Sequence, residues 1–183
     1  MKLVTKPTAE PVTLEEAKSQ CKVTFTDDDV ELDRLIIAAR AQVENITRQR
    51  IVRQKWRLYF RNFSDIMEVA PAYVREVDTI QYIDGDGATQ TAATSLYDVD
   101  VSGQRVIRAY SQVWPAVRYQ ENAVWIDVWV GMYDETASPV SNLADIEEPI
   151  KQAVLMIVQA MYDGLDEHGA DYLMAPYKMY RLG

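Results

Sequence analysis

The stretch Glu147–Tyr162, EEPIKQAVLMIVQAMY, limits the possible folds more than any other part of the chain. Pro149 falls in the first helical turn, where a missing N–H costs nothing, and Glu147 and Glu148 sit beside the positive helix N-terminus. From Ile150 to Tyr162 only Lys151, Gln152 and Gln159 are polar. At about 100° per residue these three share one arc of roughly 100°, and apolar side chains cover the rest of the circumference. A surface helix needs an apolar stripe only about that wide, so this one needs neighbours on more than one side. Leu155 lies inside the polar arc. It is either an ordinary exposed leucine or the mark of a subunit interface.

The natural intramolecular partner is a helix from Asp29 to Thr47, with Leu32, Leu35, Ile36, Ala39, Val43 and Ile46 at steps of three and four. Asp27, Asp28 and Asp29 are suited to cap it. Before it, Thr13-Leu14-Glu15-Glu16 has the form of a capping box and predicts a short helix to about Gln20. Residues 1–12 are punctuated by proline and read as extended. After Tyr162, Asp163-Gly164 predicts a helix stop.

Near Ile51 the apolar period drops from 3.6 to 2. Val52, Gln54, Trp56, Leu58 and Phe60 alternate with Arg53, Lys55, Arg57 and Arg61, a strand with one buried and one basic face. Further strands are predicted at Ile66–Val69, Val77–Ile83, Leu96–Val101, Arg105–Tyr110 and Ala123–Val130. Asp84-Gly85-Asp86-Gly87 and Ser102-Gly103 supply hairpin turns. Trp125, Asp127 and Trp129 alternate with valine and isoleucine, so the last strand should be covered on both faces or lie at an interface. The expected class is α+β. Residues 1–50 and 136–183 form a helical domain, and an antiparallel β domain is inserted at 51–135.

The composition excludes several functions. With 28 Asp/Glu against 19 Lys/Arg, the net charge of −9 argues against a general nucleic-acid clamp. It allows a protein that lets DNA pass without holding it. One cysteine, Cys21, gives neither a disulfide framework nor a thiolate metal cage. The opening MKLVTKPTAEP lacks the apolar core of a signal peptide, and the longest apolar run, Ala153–Val158, is far shorter than the ~20 residues of a membrane span. These features read as an intracellular, reducing setting.

Signals of catalysis are missing. His168 is the single histidine, and no nucleophile elbow, phosphate-binding loop or zinc-protease motif occurs. Asp84/Asp86 and Asp27–Asp29 lack full calcium-loop spacing and are explained by turn and cap chemistry, so no metal or cofactor is expected. The six Lys/Arg from Arg48 to Arg61 stand out in an acidic chain. They form either a docking face, with Arg53, Lys55, Arg57 and Arg61 outward, or a strand face neutralised by acids from neighbouring strands.

Taken in order, the chain resembles the head–tail connector (adaptor, or head-completion) proteins of tailed bacteriophages, in the longer branch that carries a β insertion. The residues that carry the resemblance are Glu10–Lys18, Asp27–Asp29, Leu32–Val52, Tyr82–Gln90, Trp114-Pro115, Val128–Gly131, Glu147–Asp163 and Leu173–Arg181. The resemblance implies a non-enzymatic homo-oligomeric ring, usually of twelve subunits, bound beneath the portal protein in the virion neck and assembled in the host cytoplasm. Such a ring extends the DNA channel and offers a surface to a stopper or tail-completion protein; double-stranded DNA passes through its lumen without specific binding. The helical layer would form the ring, with Leu155, Lys151, Gln159 and Arg40 at the subunit contact. The tail residues Leu173, Met174, Pro176, Tyr177, Lys178, Met179, Tyr180 and Arg181 would reach the portal, the alternative being a strap over their own domain. Two other functions fit the composition. An acidic binding module such as a DNA mimic would array its acids outward on one face, and a metal-dependent enzyme would depend on Asp84 and Asp86.

Overall fold

The computed structural model describes residues 1–69, 74–134, 146–165 and 169–178. Among these the order is β1 (Lys2–Thr5), α1 (Leu14–Cys21), α2 (Asp29–Thr47), β2 (Gln54–Phe60), β3 (Ile66–Glu68), β4 (Val74–Ile83), β5 (Thr89–Thr91), β6 (Tyr97–Asp100), β7 (Arg105–Arg108), β8 (Val124–Val130), α3 (Glu148–Asp163) and α4 (Ala170–Met174). The mixed α+β class is as expected. The chain divides into two compact units, one of Met1–Lys6 with Arg53–Gly131 and one of Pro7–Val52 with Met132–Gly183.

The helical unit is built from strong local signals. Thr13 and Glu16 close a reciprocal capping box, with the Glu16 N–H donating to Thr13 Oγ1 at 3.1 Å and the Thr13 N–H donating to Glu16 Oε2 at 2.7 Å. α2 spans the predicted residues, but no aspartate side chain caps it. Asp28 and Asp29 are engaged elsewhere: Tyr162 Oη donates to Asp28 at 2.6 Å, and Lys18 Nζ pairs with Asp29 at 2.5 Å. α3 ends at Gly164 in the left-handed region (φ 66°), whose N–H donates to the Ala160 carbonyl. The core of this unit joins Leu32, Ile36, Ala39 and Val43 of α2 to Ile150, Val154, Ile157 and Val158 of α3. Ala17, Ala170 and Met174 complete it from α1 and α4.

In the β unit a five-stranded sheet runs β1-β2-β8-β4-β5 and a three-stranded sheet runs β3-β7-β6, with every pairing antiparallel. β8 is central, with Ile126 opposite Leu58 on one side and Ile80 on the other. Their shared face forms a core with Met67, Tyr97 and Val106 of the smaller sheet. β1 corrects the predicted boundary, because residues 1–6 belong with the β unit rather than with the helices. Lys2 and Leu3 pair with Arg57 and Trp56, and this edge pairing spans more than fifty positions, which no local period reports. At the β4–β5 turn Asp84 Oδ1 accepts the Asp86 and Ala88 N–H groups at 3.1 and 2.9 Å. Asp84 therefore has the turn role its spacing suggested.

Candidate interaction surfaces

Three surfaces hold the residues singled out from the sequence. The first is α3. Its wide apolar circumference is mostly covered inside its own unit, by α1, α2 and α4. Physically, the short α1 and α4 supply the extra neighbours that the sequence required, so most of the excess apolar surface does not await another chain. Leu155 remains half-buried, in a surface groove between α1 and α3 lined also by Glu16, Ser19, Gln20, Lys22 and Gln159. Gln159 accepts from Gln20 Nε2 at 2.7 Å across this groove, and Lys151 is half-buried nearby, 4.0 Å from Glu148. Arg40 does not belong with them. It is buried, with Nε donating to Glu10 at 2.7 Å and Nη1 3.2 Å from Glu44. The expected place of Arg40 at a subunit contact is corrected accordingly, since its charge is used inside the unit. Burial raises the Glu10 carboxyl above its ordinary value, and the adjacent Arg40 charge only partly offsets this.

The second surface is the C-terminal segment. Met174 is fully buried in the helical core, which corrects its expected place at the portal contact. Gln49 Nε2 donates to the Tyr177 carbonyl at 2.6 Å, Tyr177 Oη donates to the Glu147 carboxylate, and Lys178 stands 3.8 Å from Asp171. Residues 170–178 thus lie as a strap on their own unit. Leu173 and Tyr177 are half-buried, Pro176 is exposed, and Lys178 is half-buried. Met179, Tyr180, Arg181 and the histidine His168 lie outside the described residues.

Both tyrosine clamps are sensitive to alkali. The hydrogen bond from Tyr162 to Asp28 and that from Tyr177 to Glu147 each push the phenol up to about 12, from an ordinary 10. Because the folded values are the higher ones, the stabilisation is complete below about pH 10 and is lost as pH climbs through about 12. Absorbance titration should show Tyr162 and Tyr177 among the late-ionising tyrosines, with helical circular dichroism lost in the same interval. Tyr162→Phe and Tyr177→Phe should each remove one late phenol. A titration in which both variants keep every late phenol would contradict these bonds.

The third surface is the outer face of the large sheet. Arg53 lies 3.2 Å from Glu76, Lys55 2.6 Å from Asp78, Arg57 2.7 Å from Asp127 and Arg61 3.2 Å from Glu121. All four basic residues therefore face acids of neighbouring segments. They also cover the outward indoles of β8: the Arg53 guanidinium lies 4.0 Å from the Trp129 ring and that of Arg57 5.5 Å from Trp125. Asp127 is buried between them in a bidentate pair with Arg57, at 2.7 and 2.8 Å. This explains the two-sided pattern of β8, because long cationic side chains of its own sheet supply the second cover.

A fourth feature was not anticipated. The β7–β8 loop exposes Tyr110, Val113 and Tyr119. It is braced by Trp114, which stacks on Phe63 with ring centroids 4.3 Å apart and donates from Nε1 to the Ser64 carbonyl at 3.0 Å. The aromatic spacing Tyr110, Trp114, Tyr119 was the available signal. No group of three or more potential metal ligands occurs among the described residues, and no helix there is long and apolar enough to cross a membrane.

Residues 11–97, which run from α1 to the start of β6, match the family of phage gp6-like head-tail connector proteins. Over that span, a little under half of its length, the chain is similar to the head–tail connector family. Beyond it, the likeness is one of fold and takes in the remaining helices and strands. A structure of the neck of an empty gene transfer agent (GTA) particle, computed with C6 symmetry, matches at TM-score 0.75 and 16% identity, covering 100% of this chain and 98% of that one. A chain from the virion of a native gene transfer agent particle gives 0.72 and 17%, over 99% and 98%. A third, from the neck of the native particle computed with C12 symmetry, gives 0.68 and 16%, also over 99% and 98%. No curated protein sequence matches this chain.

Proposed function

We propose that this chain is a structural component of a virion neck. It forms a ring of about twelve copies beneath the portal, extends the DNA channel and presents a surface to a stopper or tail-completion protein. The observation that carries the reading is the family match at residues 11–97 within a fold that follows neck proteins end to end. The C12 symmetry of one of those necks supports the copy number. The excess of acids, giving a net charge of −9, suits a lumen that repels phosphate and lets DNA slide. The exposed part of the strap, including Pro176, together with Met179, Tyr180 and Arg181, is the segment assigned to the portal contact. Met174 holds that segment to its own unit. The role is mechanical rather than catalytic, and the double-stranded DNA is cargo in transit.

The test is sedimentation of the purified chain mixed with its cognate portal at physiological salt. Co-migration is expected, with a truncation after Lys178 weakening it. A chain that sediments alone in the presence of assembled portal would defeat the proposal.

A further inference from the structure

α2 carries a stripe that its own unit leaves unused. Leu32, Ile36, Ala39 and Val43 are buried, whereas Val30, Arg34, Ile37 and Ala41 fall within an arc of about 60° on the opposite side of the helix. Val30 is 63% exposed and Ile37 49%, and Phe25, in the turn before α2, is 50% exposed. Single exposed apolar residues are ordinary, but here they follow one helical line. α3 presents a line of the same spacing, Glu148, Gln152, Leu155 and Gln159, and Leu155 lies in the groove between α1 and α3.

The two lines differ in character. The α2 stripe is apolar apart from Arg34, which has no acidic partner among the described residues. The α3 line holds one leucine among polar groups and begins with Glu148, which is 88% exposed and no nearer than 4.0 Å to Lys151. Equal spacing allows the ridge of one helix to enter the groove beside another, and Arg34 and the largely exposed Glu148 carry opposite charges. We propose that the α2 stripe of one copy seats in the α1/α3 groove of the next. The occupant of the groove is therefore a second copy of this chain, with Ile37 meeting Leu155 and Arg34 reaching toward Glu148. Two different surfaces joined in this way make a heterologous contact, the head-to-tail kind from which a closed ring is built. This inference rests on the ring reading above and specifies the surfaces that build the ring.

Thiol crosslinking in assembled necks tests it. In a Cys21→Ser background, Ile37→Cys and Leu155→Cys are introduced singly and together and treated with a short bifunctional maleimide. The double variant should give a ladder of multimers on a denaturing gel. Each single variant should stay monomeric, and a mixture of the two singles should stop at dimers. Independently, Arg34→Glu or Glu148→Arg should lower ring yield severalfold, and the two together should restore it. Dimers from Ile37→Cys alone would overturn the head-to-tail contact. So would an uncrosslinked double variant in necks that sediment as intact rings. If the unmodified chain forms no ring in necks at all, the ring reading fails first, and sedimentation separates that outcome from failure of the contact alone. Both positions face solvent or a groove in the single chain, and unchanged melting by circular dichroism confirms that the variants fold.

Discussion

Replacing Glu44 by alanine is expected to destabilise the helical unit by about 3–5 kcal/mol, the usual cost of removing one partner from a buried ion pair. Glu44 is buried near the end of α2, with Oε2 3.2 Å from Arg40 and 3.5 Å from Arg50, and Oε1 accepts the Ile51 N–H at 3.0 Å. Its removal takes one carboxylate partner from Arg40 and from Arg50 and leaves the Ile51 N–H without its acceptor. Glu10 remains as a partner of Arg40, 2.7 Å from Nε. The four tryptophans, Trp56, Trp114, Trp125 and Trp129, all belong to the β unit. Tryptophan fluorescence therefore follows one core and circular dichroism at 222 nm chiefly follows the other. Glu44→Ala should lower the dichroism transition while leaving the fluorescence transition in place. Glu44→Gln, which keeps an acceptor for Ile51, should cost less. Equal shifts of both probes would show that the two cores do not melt separately.

Met174→Ala should cost about 2–5 kcal/mol, the range for truncating a buried methionine where the site cannot collapse. Met174 is the deepest anchor of the strap and has no exposed surface. The strap is also held by Ala170 and the half-buried Leu173 and Tyr177 on the same core, and by the bonds from Gln49 to the Tyr177 carbonyl and from Tyr177 to Glu147. Without the methionine only partly buried side chains, the small Ala170 and those bonds hold the segment, and bonds open to water contribute little each. Limited proteolysis should cut the C-terminal segment faster in the variant, and the helical transition should fall. If cleavage stays slow and melting is unchanged, the strap is not held by its buried side chain.

The elements that could be read from the sequence are those set by local signals. α3 announces itself through Pro149, Gly164 and its apolar circumference, α1 through Thr13 and Glu16, and β8 through strict alternation. Features that depend on distant partners were not legible. β1 is a four-residue edge strand whose pairing lies in β2, and α4 is shorter than two turns. Asp28 looks like a cap, yet it accepts from Tyr162, more than a hundred positions away. The basic face of β2 could not be distinguished from a docking face until Glu76, Asp78 and Asp127 were placed beside it. Arg40 and Glu44 were the recoverable miss. They fall on the same side of α2 as Ile36, Val43 and Thr47, at i and i+4, and two opposite charges on a core-facing line signal a buried pair. The wide apolar surface of α3 demands neighbours on more than one side, and α1, α2 and α4 of its own unit supply most of them. What they leave uncovered is narrower: the Leu155 groove and the outer line of α2.

The most direct measurement is the molar ratio of this chain to portal protein in purified particles, by quantitative mass spectrometry of the isolated necks. A ring that continues the DNA channel from the portal requires a ratio close to one, unchanged by high-salt washing and lost when Ile37 and Leu155 are both replaced by glutamate. A ratio far below one, or a chain absent from particles that still hold their DNA, would contradict a structural place in the neck.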